Sequence, residues 1–420
     1  MLNWTVDQSR ARNLLDNSKS NLFLTGTPGT GKSALVQDFM ATQDRKRVVA
    51  LGSTGAAAIL IGGRTFHSYF ALGILQGGKQ AAIEKAKGNR QLRSRLRKTD
   101  LILIDEVSML SGEVLDCAET LARFHRESDE PWGGIRIIAV GDFAQLPPVT
   151  RSGYAKDWAF RSKAWEFAEF ENLEFRQVCR TQEQDFVEIL DQIRWAYWSD
   201  EVESFLGSHQ NDPDEDASHI FPRRYQTESF NRMSLENLEG MMMEFPTRYY
   251  GSQIYIEKLQ KEAPIPAVLE LKEGALVMLR VNDPKQRFVN GSLGKIEVCE
   301  PHRVCVKLLD RNRVVEIDKF SFSFINADGE EVAVAENLPL SLAYANTIHK
   351  TQGATLDKIH VDLASLWEPG QAYVALSRVR SADGLTIGRW SRDAFQADPE
   401  VKAFYHEIRQ RPSVLAMGRS

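Results

Sequence analysis

LFLTGTPGTGKSALV, residues 22–36, joins an apolar run, a glycine-rich loop and a helical segment. The eight residues from position 26 to position 33 fit the pattern GxxxxGK[ST] one by one. In such loops backbone N–H groups surround phosphates at a helix N-terminus, the lysine reaches the outer phosphate oxygens, and the last hydroxyl holds Mg²⁺. The stretch therefore predicts a β–loop–α nucleotide site formed by Gly26, Thr27, Pro28, Gly29, Thr30, Gly31, Lys32 and Ser33.

Short apolar runs alternate with helical stretches over most of the chain. NLFLTG, RVVALG, DLILIDE and IRIIAVGD are such runs, and each is followed by a polar or helical segment. This alternation is typical of an α/β fold with a parallel sheet flanked by helices. Because 420 residues exceed what one hydrophobic core usually organises, two or three domains are expected.

Two segments depart from the alternation. Residues 79–98 are strongly basic, and Leu92 and Leu96, four residues apart, indicate a helix with a narrow apolar seam, which is either a solvated face or a nucleic-acid contact. Further on, ALVMLRV, GKIEVCE, RVCVKLLD and RVVEI are β-rich runs too close together for helical crossovers. They predict antiparallel strands in a small β-barrel or sheet at about residues 256–335.

Composition excludes several classes of protein. The net charge of −5 argues against a protein that coats nucleic acid electrostatically, so a nucleic-acid site must be a local channel. The four cysteines form no CxxC pair, which argues against a zinc site or a disulfide framework. With no apolar run near the roughly 18 residues of a membrane span and no signal peptide, a cytoplasmic or nucleoid-associated protein is expected.

Polar side chains follow two further apolar runs. LILIDEVSML, residues 101–110, sets Asp105 and Glu106 at the carboxyl end of a buried strand, where open α/β sheets bind ligands. There Asp105 can complete a Mg²⁺ shell and Glu106 can orient or deprotonate an attacking water. IRIIAVGDFAQLPPV, residues 135–149, projects Gln145 from a polar turn, either to bond a γ-phosphate or simply as part of a loop.

Gln8 precedes the glycine loop and offers the donor and acceptor that an adenine edge requires, although a surface glutamine is the ordinary case.

The chain resembles a known group of enzymes. GTPGTGKS, DEVSM, GDFAQLPPV, TIHKTQGATLD and GQAYVALSR are similar, in this order, to successive motifs of superfamily-one DNA helicases of the 5′→3′ type. Residues 115–149 narrow the resemblance to the petite integration frequency (PIF) helicase family, with Trp132 where a phenylalanine is more usual. The similarity extends from about residue 5 to about residue 390.

The resemblance implies two RecA-like parallel-sheet cores in tandem that close on ATP with Mg²⁺ and move along single-stranded DNA. The first core is expected at 1–172, with a wedge insertion at about 71–98. The second is expected at 173–420, with the β-barrel inserted at about 256–335. A monomer is expected, and its substrates would be single-stranded DNA and 5′-tailed or forked duplexes, with G-quadruplexes and RNA–DNA hybrids left open.

The resemblance also assigns residues. The first-core DNA contacts would be Thr54, Thr65, Phe66 and His67, and those of the second core His349 and Thr355, while Gln352 and Gly353 would lie at the nucleotide. Hydroxyls and imidazoles suit phosphates, and Phe66 is either a stacking surface or a core residue. Arg378 would stabilise the transition state together with one further arginine.

NLEFRQVCR, residues 172–180, contains both candidates for that second arginine. Interpreted as a strand, it points Arg176 and Arg180 to the same face. Thr181, where the family has a glutamine, and Gln184 match a capping box, which predicts a helix starting immediately after Arg180. Arg180 is therefore predicted to stand at the strand-to-helix junction beside the phosphates, in preference to Arg176.

The predicted function is an ATP-dependent DNA helicase, an ATP hydrolase. An AAA-type loader or remodelling ATPase shares the glycine loop and the acidic pair but lacks the HKTQG and ALSR segments found here. A non-enzymatic nucleic-acid-binding protein with a vestigial phosphate site is a third alternative.

Overall fold

A computed structural model describes residues 4–410 except 45, 55–56, 59–60, 62, 73–77, 149–154, 180, 182, 282, 284, 286, 289, 310–312 and 326–329. The chain divides into two compact units. The first comprises Met1–Arg180, Phe324–Val332 and Pro399–Ser420, and the second Thr181–Ser323 and Ala333–Asp398. The division predicted at 172/173 lies eight residues before this boundary, and Phe324–Val332 and the C-terminal segment, predicted in the second core, belong to the first unit.

The first unit contains a six-stranded parallel sheet. Its strands are β1 (Leu22–Gly26), β2 (Val48–Gly52), β3 (Arg64–Thr65), β4 (Leu101–Asp105), β5 (Arg136–Val140) and β6 (Glu171–Phe175), in the order β3-β2-β4-β5-β1-β6. Every residue of β1, β2 and β4 is buried, as expected for a parallel sheet covered on both faces. The predicted α/β class with a parallel sheet is confirmed.

The helices of the first unit cover this sheet. They are α1 (Val6–Asn17), α2 (Lys32–Ala41), α3 (Phe66–Tyr69), α4 (Gly78–Lys87), α5 (Arg90–Lys98), α6 (Gly112–Arg126), α7 (Lys163–Ala168) and the C-terminal α14 (Pro399–Gln410). Side chains of α1 and α2, including Ala11, Leu35 and Phe39, pack with Leu24 and Val140 of the strands in one core cluster. None of the described helices has the length and apolar composition needed to cross a bilayer.

The basic segment forms α4 and α5, and its apolar seam is as predicted. Leu92 and Leu96 are both fully buried. Arg93 and Arg97 lie 2.6 and 2.7 Å from the Glu127 carboxylate at the end of α6. Part of the positive charge is therefore matched within the first unit, which favours the interpretation as a solvated, docked helix face for this side of α5.

The prediction of a strand through residue 180 was wrong. β6 ends at Phe175, and the next helix, α8 (Gln184–Arg194), does not begin until Gln184. Between them the backbone bonds elsewhere, since the Arg176 N–H donates to Asp7 Oδ2 at 3.0 Å and the Cys179 N–H donates to the Gly29 carbonyl at 2.8 Å. Arg176 is thus the first residue after the strand, and Arg180 lies outside the described residues.

The second unit is built on a smaller parallel sheet. β7 (Ser218–Phe221), β18 (Ala345–Thr347), β19 (Ile359–Val361) and β20 (Leu385–Ile387) pair in parallel in the order β18-β7-β19-β20. The remaining helices are α8, α9 (Asp200–Ser208), α10 (Arg224–Asn237), α11 (Gln253–Glu262), α12 (Ile348–Thr351) and α13 (Gln371–Leu376). The part of the chain that the structure describes therefore contains two separate parallel sheets.

The β-rich segment is antiparallel as predicted, but it does not form a barrel among the described residues. Its main sheet has the order β14-β13-β12-β11-β17, formed by Val314–Glu316, Arg303–Leu308, Leu293–Glu300, Leu276–Leu279 and Leu340–Leu342. Its edge strands β14 and β17 do not pair with each other, so the sheet stays open. Two smaller sheets accompany it: β15 (Phe320–Ile325), β16 (Glu331–Asn337) and β9 (Arg248–Gly251), and β10 (Val268–Leu271) with β8 (Met243–Pro246).

Candidate functional site

The glycine loop connects β1 to α2 with a backbone that glycine permits. Gly29 and Gly31 both have φ of +81°, in the left-handed region. A Cβ on Gly26 would lie 2.5 Å from the Phe175 carbonyl oxygen, so this residue allows β1 and β6 to approach. The Lys32 ammonium donates to the Gly26 and Thr27 carbonyls at 2.7 and 3.0 Å. The β–loop–α arrangement predicted from the sequence is confirmed, and phosphate binding by the loop stays a prediction.

Gln8 braces this loop. Its side chain is buried, its Oε1 accepts the Thr5 N–H at 2.8 Å, and its Nε2 donates to the Thr30 carbonyl at 2.9 Å. A Cβ on Gly31 would lie 2.2 Å from Gln8 Nε2. Both polar atoms that were expected to read adenine therefore bond to the protein backbone, and the surface position expected as the ordinary case is not observed.

Asp105 and Glu106 stand at the carboxyl end of β4. Asp105 is only 7% exposed, and its Oδ1 accepts the Glu106 N–H at 3.0 Å. Burial and the neighbouring Glu106 carboxylate raise the pKa of Asp105 to about 7, against the opposing effects of the Glu106 N–H and the Lys32 charge. Glu106 itself has φ +52° and ψ +45°, a left-handed conformation uncommon outside glycine. Two carboxylates and the loop lysine thus share one edge of the sheet.

Asp142 and Gln145 follow β5, the strand between β4 and β1. Asp142 is fully buried, and Gln145 Nε2 lies 3.5 Å from its Oδ2. The Tyr405 hydroxyl of α14 donates to Asp142 Oδ1 at 3.0 Å and accepts the Phe143 N–H at 3.2 Å. It also lies 2.7 Å from Thr25 Oγ1 on β1. The turn that carries Gln145 is therefore held by a residue from the C-terminal helix.

Sequence reasoning missed Tyr405, because its partners lie more than 260 residues earlier in the chain. The amphipathic pattern of α14 shows which face of the helix is buried. It does not show that the Tyr405 hydroxyl on that face meets the Asp142 carboxylate. Further contacts fix the helix, with Arg409 donating to both carboxylate oxygens of Glu174 on β6 at 2.8 and 2.6 Å.

The residues at this edge fit Mg²⁺ bound together with a nucleotide. Among residues the structure describes, no group of three histidine, cysteine or acidic side chains could hold a metal ion alone. Mg²⁺ is commonly held by one or two protein oxygens together with phosphate oxygens and water. The exposed Ser33 hydroxyl and the buried Asp105 carboxylate, whose raised pKa reports poorly compensated negative charge, supply such oxygens.

Three of the candidate DNA-binding residues of the first unit keep polar groups for a ligand. Thr54 and Thr65 are half-buried, and their hydroxyl oxygens accept the N–H groups of Ala57 at 3.2 Å and Ser68 at 3.3 Å. Each hydroxyl still has a proton to donate to a phosphate. Burial lowers the pKa of His67, so its imidazole is neutral at pH 7 and has one N–H that can donate to a ligand.

Phe66 corrects the prediction of a stacking surface. Its side chain is fully buried, and its ring centroid lies 4.9 Å from that of Phe70. A base could not reach the ring in this conformation, so Phe66 is a core residue here.

The second-unit candidates lie on α12 and the loop after it. His349 is exposed, and Gln352 and Thr355 are half-buried. Gly353 has φ +78°, and no atom lies within 4 Å of the position a Cβ would take. Glycine is therefore favoured at position 353 by the backbone conformation, and not because neighbouring atoms leave no room for a side chain.

Arg378 is buried inside the second unit. Its guanidinium donates to the Val374 carbonyl at 2.8 Å, to Ser377 Oγ at 2.8 Å and to the Thr351 carbonyl at 3.3 Å. Its predicted role at a phosphate stays a prediction.

The chain is similar in sequence to known helicases. The model of the PIF1-like helicase family matches residues 6–203. A Bdellovibrio bacteriovorus protein named ATP-dependent DNA helicase Pif1 is 45% identical over 96% of this chain and 91% of its own length. The Danio rerio ATP-dependent DNA helicase PIF1 is 35% identical over 94% of this chain, which spans 62% of that longer protein.

Solved structures show the same similarity. Bacteroides Pif1 in complex with ADP-AlF4 has a TM-score of 0.85 at 26% identity, covering 97% of this chain and 98% of that one. The same organism's Pif1 bound to single-stranded DNA has a TM-score of 0.65 at 26% identity and 97% coverage of both chains. A structure of two coordinating Pif1 helicases at forked double-stranded DNA has a TM-score of 0.66 at 27% identity, with 97% and 98% coverage.

The matched motifs, the parallel sheets and relatives above 30% identity over most of the chain lead to one conclusion: this protein is an enzyme of the PIF1-like helicase family.

Proposed function

We propose that the chain is an ATP-dependent DNA helicase that moves 5′→3′ on single-stranded DNA and separates the duplex at a junction. The observation that carries the proposal is the shared edge of the first sheet. There the glycine loop, the buried Asp105 with the half-buried Glu106, and the Asp142 turn held by Tyr405 come together. The relatives carry the name ATP-dependent DNA helicase, and related structures contain single-stranded or forked DNA.

ATP binding would use the glycine loop and Lys32. The loop N–H groups and the α2 N-terminus favour phosphate, and the Lys32 ammonium would exchange its bonds to the Gly26 and Thr27 carbonyls for phosphate oxygens. Ser33 and Asp105 would hold Mg²⁺. Bound Mg²⁺ would neutralise charge on the phosphate oxygens and so lower the barrier to hydrolysis.

Glu106 is the proposed general base, because it follows Asp105 directly at the strand end and can orient or deprotonate the attacking water. Gln145 would bond the γ-phosphate and report its loss through Asp142 to β1 and α14, which the Tyr405 hydroxyl connects. Hydrolysis would in this way be linked to the position of the turn that carries Gln145.

Arginine supplies the remaining positive charge in this proposal. Arg378 and Arg180 are retained as transition-state residues. Arg176 joins them as a candidate, since β6 ends at Phe175 and Arg176 is the residue at the carboxyl edge of the sheet.

The two parallel sheets would correspond to tandem RecA-like cores, and α4 with α5 to the wedge insertion. Single-stranded DNA would contact Thr54, Thr65 and His67 on the first core and His349 and Thr355 on the second. Substrates would be 5′-tailed and forked duplexes, and G-quadruplexes and RNA–DNA hybrids are further candidates.

Lys32→Ala tests the nucleotide site. The variant is expected to lose ATP hydrolysis stimulated by single-stranded DNA, because the ammonium that meets the outer phosphates is gone, while DNA binding persists. Turnover with an oligonucleotide activator and fluorescence anisotropy of a labelled strand measure the two properties. Retained DNA-stimulated turnover would mean that ATP is hydrolysed elsewhere.

A further inference from the structure

A half-exposed tryptophan stands on the second unit, outside the residues assigned so far. Trp367 follows Leu366, whose side chain is buried, and precedes α13, and Trp367 itself is 50% exposed. The guanidinium carbon of Arg223 lies 5.0 Å from the Trp367 ring centroid. An exposed indole with a cation against it offers a flat surface on which an aromatic ligand can stack.

The loop that carries Trp367 is fixed in place. Gln371 is fully buried at the start of α13, and its Oε1 accepts the N–H groups of Trp367 at 3.1 Å and Glu368 at 3.3 Å. The Gly370 N–H donates to the Gln396 carbonyl at 3.1 Å. The backbone that carries the indole is therefore held before any ligand arrives, which reduces the entropy lost on binding.

Cations accompany the indole. Arg223, Arg224 and Lys350 are exposed, and Arg280 is half-buried. Burial, followed by the charges of Arg224 and Arg280, lowers the pKa of Lys350, so each of these arginines is close enough to act on Lys350. We call Arg223, Arg224, Arg280, Lys350 and Trp367 the basic-aromatic surface.

Two carboxylates only partly balance these charges. Glu228 Oε1 lies 2.6 Å from Arg224 Nε, and the Glu228 charge opposes the lowering of the Lys350 pKa. Desolvation lowers the pKa of His349, and the charge of Glu368, beside Trp367, opposes this lowering. His349 is itself a proposed DNA contact, so the surface continues the DNA-binding face proposed for the second unit.

We propose that the basic-aromatic surface binds single-stranded DNA, with one base stacked on Trp367 and backbone phosphates on Arg223, Arg224, Arg280 and Lys350. A single strand matches both features, because every base has a π-face and every nucleotide a negative charge. A duplex hides its base faces, and an acidic peptide supplies charge without a regular aromatic face. This inference rests on the proposed function and adds a base contact to it.

Trp367→Ala tests the stacking contact with two probes. The first is a fluorescently labelled oligothymidylate, and the second is a strand of the same length and charge with abasic sites. Stacking on an aromatic side chain is worth ~1–3 kcal/mol per base, so Kd for oligothymidylate should rise about tenfold. Kd for the abasic strand should stay nearly unchanged, and Trp367→Phe should recover most of the loss.

Two further variants provide controls. Tyr197→Ala removes another aromatic side chain of the second unit, which is 66% exposed, and should leave both Kd values at the wild-type level. Arg280→Gln should weaken both strands alike and reduce the slope of log Kd against log salt concentration by about 0.7, the share of one phosphate contact on a single strand.

The outcomes separate the inference from the proposed function. If the wild-type protein binds oligothymidylate and Trp367→Ala binds it equally well, or loses affinity equally for both strands, base stacking on Trp367 is refuted. If the wild-type protein binds neither strand and its ATP turnover does not respond to them, the proposed function itself fails.

Discussion

Tyr405→Phe removes one hydroxyl from the contact between the C-terminal helix and the first sheet. The hydroxyl donates to Asp142 Oδ1 at 3.0 Å and accepts the Phe143 N–H at 3.2 Å. Because its proton goes to Asp142, the Thr25 hydroxyl at 2.7 Å must be the donor in their contact. Tyr405, Asp142 and Thr25 are all buried, so water cannot readily replace the lost group.

The expected cost follows from these three bonds. A hydrogen bond to a charged group contributes ~1.5–3 kcal/mol and a neutral one ~0.5–1.5 kcal/mol, and a buried donor left unsatisfied adds to the loss. Tyr405→Phe should therefore lower the free energy of unfolding by about 2–4 kcal/mol. Since Gln145 lies on the same turn, DNA-stimulated ATP turnover should also fall about tenfold, which corresponds to ~1.4 kcal/mol of lost transition-state stabilisation.

The assay combines urea unfolding with ATP turnover on the same preparations. Tyr197→Phe is the matched control, because it removes a hydroxyl from a 66%-exposed tyrosine and should change stability by no more than about 0.5 kcal/mol. If Tyr405→Phe behaves like Tyr197→Phe in both measurements, the hydroxyl does not hold the Asp142 turn and the reasoning is refuted.

Two further predictions concern other parts of the chain. Gly31→Ala should weaken nucleotide binding and stability more than Gly240→Ala. Both glycines have positive φ, but only the Cβ at position 31 would meet Gln8. Equal losses of nucleotide affinity and of unfolding temperature for the two variants, measured by calorimetry, would contradict this prediction. Asp283→Asn should destabilise by up to about 2 kcal/mol at pH 7, because Arg287 lowers the Asp283 pKa from 3.8 to about 2. That contribution is present above pH 3.8 and is lost as the pH falls toward 2, so urea midpoints of wild type and variant should converge on acidification, and a constant difference would exclude the ion pair as the cause.

The parts of the fold and site that the sequence predicted are those fixed by local physics. Continuous apolar runs specified β1 and β4, and the glycines with positive φ specified the loop before α2. The acidic pair could be placed at a strand end because a parallel sheet collects its carboxyl ends at one edge. The seam formed by Leu92 and Leu96 was equally local, since four residues make about one helical turn.

The remaining features depend on contacts far apart in the chain. β6 ends early because the backbone of Arg176 and Cys179 bonds to Asp7 and Gly29, partners that no strand pattern contains. Closure of the inserted sheet depends on how its edge strands meet, which alternation along each strand does not determine. Phe66 stands between polar residues in the sequence, as an exposed aromatic residue would. Only its packing in the folded chain identifies it as a core residue.

Unwinding of two partial duplexes, identical except that one carries a 5′ single-stranded tail and the other a 3′ tail, tests the proposed helicase activity most directly. With ATP and Mg²⁺, the wild-type protein is expected to separate the 5′-tailed duplex and to leave most of the 3′-tailed duplex paired. Lys32→Ala should separate neither. Preference for the 3′ tail, or strand separation that does not require ATP, would contradict the proposed function.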